Sequence, residues 1–171
     1  MHNLNRRAFL RSSLATAGAS LIRAPAIADS RLDPNDRIRV AVAGLRGRGR
    51  ELIRSFHELA KENVEIVALC DADQSVLNER AAEYEKMSAK KVQTFSDMRK
   101  IMDDKSIDVV GFATPNHWHA LGTIWACQAE KDVYVEKPGS HNIFEGRKVV
   151  EAARKYNRIV EHGTQNRSSP N

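Results

Sequence analysis

The most constraining feature of this chain is an apolar run that ends in three closely spaced glycines, Gly44, Gly47 and Gly49. In the run, at 38–43, Ile and Val alternate with smaller or polar residues, a pattern that suits a strand buried in a parallel sheet. Glycine tolerates positive φ and close backbone approach, so free N–H groups at a following helix N-terminus can face a pyrophosphate. Residues 51–60 then carry apolar side chains at helical spacing. The stretch predicts a strand, a phosphate-binding turn and a helix.

The glycine spacing differs from the standard dinucleotide fingerprint. The G-x-G-x-x-G pattern would place its middle glycine at position 46, which is Arg46, while an extra glycine stands at Gly47. An acidic residue about twenty residues further on normally binds the adenine ribose. Asp71 stands there, at the end of the apolar run 64–70. The alternative interpretation of Asp71 is a helix N-cap, a role that Asp73 could equally fill.

This pattern predicts NAD as the cofactor. A carboxylate bonds the 2′-hydroxyl of the ribose and repels a 2′-phosphate. The arginines at positions 46, 48 and 50 blur that preference, so NADP stays open as the alternative.

Strand patterns alternate with helix patterns along the rest of the chain. This alternation predicts an α/β fold, a doubly wound parallel six-stranded Rossmann sheet with strand order 3-2-1-4-5-6. One folded domain is expected over residues 37–162, because 171 residues suffice for one core. The later strands are predicted at 92–95, 107–113, 131–136 and 158–162, and the later helices at 74–87, from 96, at 117–130 and at 143–156.

The N-terminal segment has the features of an export signal. Residues 5–11, Asn-Arg-Arg-Ala-Phe-Leu-Arg, resemble the twin-arginine motif; a weakly apolar run and an Ala-Ile-Ala cleavage site follow. Residues 1–28 are therefore predicted to be a signal peptide read by the twin-arginine export machinery, with a periplasmic or otherwise exported product. The run is too short and too polar for a stable membrane anchor. The alternative interpretation is a basic, disordered tail.

Composition excludes one class of partner and says little about redox chemistry. The net charge is +5, but the first 28 residues contain four arginines and no acidic residue, and the remaining charges almost balance. No nucleic-acid partner is predicted, since no nucleic-acid motif accompanies the charge. Cys70 and Cys127 are expected to be small buried hydrophobic residues.

Two polar loops follow the fourth and fifth predicted strands. Thr114 to His119 reads Thr-Pro-Asn-His-Trp-His, and Glu136 to Pro138 reads Glu-Lys-Pro. Both loops open at the carboxyl ends of strands near the glycine turn, where open α/β sheets bind ligands. One shared crevice is therefore predicted. No metal site is predicted, because no Cys or carboxylate cluster is spaced to complete one with the His-x-His pair.

The glycine turn, Asp71 and these two loops together resemble the Gfo/Idh/MocA oxidoreductase family, over about residues 37 to 169. The resemblance implies a two-domain enzyme that moves hydride between a nicotinamide and a sugar or polyol. The C-terminal substrate domain is expected to be absent from this chain, and residues 163–171 are predicted to be the start of a linker to it. The chain alone is therefore expected to be inactive. Whether a longer form of the protein assembles into homo-oligomers stays open.

The family pattern also implies residue roles. Lys137 would be catalytic as the proton acceptor beside the nicotinamide, partly desolvated in the cleft, and His119 would be catalytic by facing the substrate. The alternative for Lys137 is an ion pair with Glu136, and for His119 it is packing or capping at the helix start. The predicted cofactor-binding residues are Gly44, Arg46, Gly47, Gly49, Asp71, Thr114, Pro115, Asn116, His117, Glu136 and Lys137.

Two other functions stay open at this point. One is a glycosidase of the same family, in which NAD is reduced and reoxidised within one catalytic cycle. The other is a non-catalytic nucleotide-binding or interaction module.

Overall fold

The computed structural model describes residues 37–164 and contains one six-stranded, all-parallel sheet. The strand order is β3-β2-β1-β4-β5-β6. The predicted doubly wound Rossmann sheet and its strand order are therefore confirmed. The strands are β1 Ile38–Ala43, β2 Val64–Cys70, β3 Gln93–Phe95, β4 Val109–Phe112, β5 Asp132–Glu136 and β6 Val160–Gly163.

Five α-helices connect the strands of this described part. They are α1 Arg48–Glu58, α2 Gln74–Ser88, α3 Arg99–Asp103, α4 His119–Gln128 and α5 Ile143–Lys155, and 3₁₀ turns lie at Leu59–Glu62 and Asn116–Trp118. Within residues 37–164, none of the helices has the length and apolarity needed to cross a bilayer. The predicted signal peptide at 1–28 lies outside the described residues. Of the linker predicted at 163–171, Gly163 belongs to β6 instead, and residues from 165 onward lie outside the described residues.

Strand β1 is buried on both faces. Val40 and Val42 belong to one apolar cluster, while Ala41 and Ala43 belong to the other, and all four are at most 1% exposed. Successive side chains of a strand point to opposite faces. The unbroken apolar run of β1 therefore arises because helices cover both sides of the central sheet.

Most element boundaries differ from the sequence predictions by one to three residues, and contacts in the structure accompany two of these differences. The helix expected at 117–130 begins as a separate 3₁₀ turn, in which the Trp118 N–H donates to the Pro115 carbonyl at 2.9 Å, and α4 starts only at His119. Strand β6 starts at Val160 rather than at 158, and the N–H of the preceding Ile159 donates to the side chain of Asp132 at 2.8 Å.

One charged side chain is buried at the amino ends of the strands, away from the glycine turn. Lys131 is 1% exposed, and its Nζ donates to the carbonyl oxygens of Asp104 at 2.6 Å and Ile107 at 2.9 Å. Burial lowers the pKa of Lys131. The side chain ties the segment after α3 to the start of β5.

Candidate functional site

The glycine turn between β1 and α1 is built by close backbone contacts. Gly44 has a φ of 83°, and a Cβ there would lie 2.6 Å from the backbone of Ala113. A Cβ on Gly49 would lie 1.8 Å from the Gly44 carbonyl oxygen. Gly47 is the N-cap of α1, with a φ of 42° and open space around its Cα. Each glycine is therefore required, either by φ or by space.

The turn also presents unpaired donors. The backbone N–H groups of Arg46, Gly47 and Arg48 donate to no partner within residues 37–164. They stand at the N-terminus of the eleven-residue helix α1, where the partial positive charge of the helix dipole favours an anion. This arrangement suits a pyrophosphate. The replacement of the middle glycine of the fingerprint by Arg46 leaves these backbone donors free.

Asp71 is held against the same turn. Its two carboxylate oxygens accept from the N–H of Leu45 and the N–H of Asp73, each at 2.9 Å. Each oxygen keeps a further lone pair for a ribose hydroxyl. The alternative interpretation of Asp71 as a helix cap is wrong, because Asp73 is the N-cap of α2 and accepts from Ser75 and Val76.

Arg46 forms an ion pair with Asp73. The backbone donors Val76 and Ser75, followed by Arg46, lower the pKa of Asp73. Because Arg46 is paired with the Asp73 carboxylate, it is not a free cation for binding the 2′-phosphate of NADP.

A cavity of about 480 Å³ opens between the carboxyl ends of β1, β2 and β4. It is lined by Gly44, Arg46, Asp71, Thr114 and Pro115, among others. The buried Oγ1 of Thr114 has no hydrogen-bond partner in the described part of the chain. An orphan hydroxyl, an oriented carboxylate and free backbone donors around one cavity fit a dinucleotide.

The Glu-Lys-Pro loop divides into a buried and an exposed half. Glu136 is 4% exposed, and its Oε1 accepts from Arg48 Nε at 2.7 Å and from the Tyr134 hydroxyl at 3.3 Å. The bond to Glu136 raises the pKa of Arg48. Lys137 is exposed and, within residues 37–164, makes no ion pair. The alternative interpretation of Lys137 as the ion-pair partner of Glu136 is therefore wrong, and the expected partial desolvation of Lys137 is not found in the described residues.

His119, at the first position of α4, is only 1% exposed. Its Nδ1 lies 2.7 Å from the Pro138 carbonyl oxygen and its Nε2 lies 2.8 Å from the Thr114 carbonyl oxygen. Both ring nitrogens are thus engaged with backbone. A direct substrate contact by His119 stays a prediction, and this geometry does not support it.

The remaining predicted loop residues lie at the surface of the site. Pro115, Asn116 and His117 are exposed, and Pro115 alone of the three lines the cavity. Within residues 37–164, no group of three or more His, Cys, Asp or Glu side chains is arranged to hold a metal.

A family model described as "Oxidoreductase family, NAD-binding Rossmann fold" matches residues 38–164, most of the chain. The chain belongs to the Gfo/Idh/MocA family. NAD as the predicted cofactor is confirmed at the level of this family.

Individual relatives agree with that membership. A "Glycosyl hydrolase family 109 protein" of Shewanella baltica is 31% identical over 174 residues, which cover 90% of this chain and 38% of the relative. An NAD binding oxidoreductase from Klebsiella pneumoniae matches with a TM-score of 0.70 at 25% identity, over 78% of this chain and 36% of its own. A myo-inositol 2-dehydrogenase from Lactobacillus plantarum matches with a TM-score of 0.67 at 25% identity; the match covers 78% of this chain and 38% of the dehydrogenase chain. The chain thus spans about 38% of the length of the curated relatives it matches.

For this Gfo/Idh/MocA domain, the structure brings the glycine turn, Asp71 and the loop after β4 to one cavity, with Lys137 on the neighbouring loop. Sequence reasoning missed Arg48 as the partner of Glu136. The two residues are 88 positions apart, and nothing in either local pattern points to the other. An arginine in the turn and a carboxylate at a strand end were the only available signals.

Proposed function

We propose that this chain is the cofactor-binding part of an exported NAD-dependent oxidoreductase that acts on a sugar or polyol. The observation that carries the proposal is the position of Asp71, whose carboxylate is bonded to the glycine turn and lines the cavity beside it. Asp71 would accept hydrogen bonds from the adenine ribose, and the free N–H groups of residues 46–48 would hold the pyrophosphate.

The chemistry follows from what the exposed Lys137 can do. Bound NAD supplies the acceptor for the hydride that leaves the substrate carbon. The hydroxyl proton of the same carbon needs an acceptor as the C–O bond becomes a carbonyl, and we assign that role to the Nζ of Lys137. Glu136 is buried against Arg48, so it would shape the strand end rather than exchange protons.

The test of cofactor binding is calorimetric titration of the purified chain with NAD, NADH and NADP. Saturable binding that is tighter for NAD than for NADP is the expected result. A well-folded sample that binds none of the three would refute the proposal and favour an interaction module.

The test of the catalytic role is Lys137→Ala in a form of the protein that carries a substrate domain. Turnover should fall by about 10²–10⁴-fold, with little change in NAD affinity, because the lysine is assigned to proton transfer alone. Unchanged turnover would remove Lys137 from the mechanism.

A second candidate function is an NAD-dependent glycosidase, and it is favoured by the name of the Shewanella baltica relative. The two reactions differ in their use of NAD. Release of NADH during turnover supports the oxidoreductase, whereas cleavage of a glycoside with no net NADH supports the glycosidase.

Export by the twin-arginine route is supported by the sequence of residues 1–28. Replacing both Arg6 and Arg7 by lysine should keep a reporter fused to this segment in the cytoplasm. A fusion that is still exported would refute the assignment.

A further inference from the structure

We propose that His119 is a positioning residue that ties the loop after β4 to the loop after β5. The inference rests on the proposed function, because those two loops carry Thr114 at the cavity and Lys137 at the strand end. Its role is to hold these two groups at a constant separation, without contacting cofactor or substrate.

The two loops need such a tie because the sheet does not continue between them. The ladder that joins β4 to β5 has its last pair at Phe112 and Val135. Beyond that pair, the Thr114 and Pro138 carbonyl oxygens both point to the imidazole, at 2.8 and 2.7 Å. The ring bridges the loops where the strands stop pairing.

The bridge requires an imidazole ring that donates a hydrogen bond from each of its two nitrogens. Carbonyl oxygens only accept hydrogen bonds, so each ring nitrogen must donate for both bonds to form. His119 is 1% exposed, so a ring nitrogen without a partner there would cost free energy that water cannot restore. Packing alone would need neither nitrogen.

Loop geometry explains why the ring reaches this place. The 3₁₀ turn Asn116–Trp118 lies between the cavity-lining Pro115 and the first residue of α4. His119 is therefore the first helical residue after the loop, and its ring lies inside while Asn116 and His117 stay exposed. Thr114, Pro115 and Trp118 line the cavity, whereas His119 is not among its lining residues.

Two substitutions separate the two bonds. Asparagine places an amide nitrogen near the position of Nδ1 and keeps a donor for Pro138, whereas glutamine places one near Nε2 and keeps a donor for Thr114. His119→Asn should therefore release the loop after β4, and His119→Gln should release the loop after β5. The matched control is His141→Gln, since His141 is exposed and lies outside both bonds.

The measurement is backbone ¹⁵N relaxation of the whole chain. In the wild type, the amides of both loops should be rigid, with order parameters of about 0.85. His119→Gln should lower the values at Lys137, Gly139 and Ser140 to about 0.6 or below, and His119→Asn should do so at Thr114 and Asn116. NAD affinity should fall by up to about tenfold in each variant, as one lost hydrogen bond allows.

Several results would overturn the proposal. One is unchanged order parameters in both variants; another is equal loosening of both loops in both variants, which indicates packing alone. If neither variant folds, the wild-type imidazole ¹⁵N spectrum decides, because a ring nitrogen without hydrogen excludes the double bridge. If His119→Asn loosens only the loop after β4 and His119→Gln only the loop after β5, but the chain does not bind NAD, the bridge is supported and the proposed function is refuted.

Discussion

Gly49→Ala is the perturbation whose effect the structure defines most closely. The new Cβ would lie 1.8 Å from the Gly44 carbonyl oxygen, and Cβ atoms essentially never come within 3.0 Å of such an atom. One of the two backbones would have to move by about 1.2 Å. Gly44 cannot easily recede, because its own Cα already faces the backbone of Ala113 and Thr114. The collision involves backbone on both sides, so no side-chain rotation relieves it.

The expected cost is at the upper end of the overpacking range, about 3 kcal/mol. For a domain of this size, that corresponds to a loss on the order of 10 °C in Tm. The displaced turn should also weaken NAD binding more than tenfold, since the free N–H groups of residues 46–48 move with it. Thermal unfolding and calorimetric titration of the same samples measure both effects.

The control for this prediction is the same substitution in α5. A Cβ on Gly146 would lie 3.0 Å from the Ser140 hydroxyl oxygen, which is the end of a rotatable side chain. Gly146→Ala should therefore be neutral or stabilise the protein by up to about 1 kcal/mol, as alanine does within helices. Equal Tm and NAD affinity for Gly49→Ala and Gly146→Ala would refute the packing argument.

Three further predictions concern individual buried or site residues. Asp71→Ala should weaken NAD by about 10–100-fold, as the loss of a charge-assisted bond implies, and weaken NADP less; calorimetry showing equal losses would mean that the carboxylate only shapes the turn. Burial raises the pKa of Cys70 from 9.0 to about 12, so a thiol reagent should label it only after unfolding. The folded thiol stays protonated where the unfolded one ionises, so the free energy of unfolding should fall as the pH rises above 9.0, and Cys70→Ala should flatten that fall. Lys131→Met should destabilise the chain by about 1–3 kcal/mol in urea unfolding, because the carbonyl oxygens of Asp104 and Ile107 lose their donor; an unchanged midpoint would contradict this.

Much of the fold was predictable because its signals are local. The buried β1 run, the glycines and the regular alternation of strand and helix patterns each occupy a few consecutive residues, and parallel βαβ units allow few topologies. The position of Asp71 was predictable for the same reason, since it ends a strand adjacent to β1.

The contacts of His119 and Glu136 were not predictable from local pattern. A histidine at the start of a helix beside a polar loop is typical of an exposed ligand-binding group, yet its ring contacts the backbone of two loops that are 24 positions apart at the contacted residues, Thr114 and Pro138. Glu136 next to Lys137 suggested a local ion pair, but its carboxylate turns inward to Arg48. In a strand, neighbouring side chains point to opposite sides, so adjacency in sequence disfavours this pairing.

The sequence by itself determined the sheet, its strand order and which segments reach the carboxyl edge, because apolar periodicity and glycine placement act over short distances. Only the tertiary structure decided which polar groups pair there. The cap at Asp73, the Arg48–Glu136 pair and the His119 bridge each depend on the geometry of strand ends, where buried donors and acceptors must find partners from distant segments.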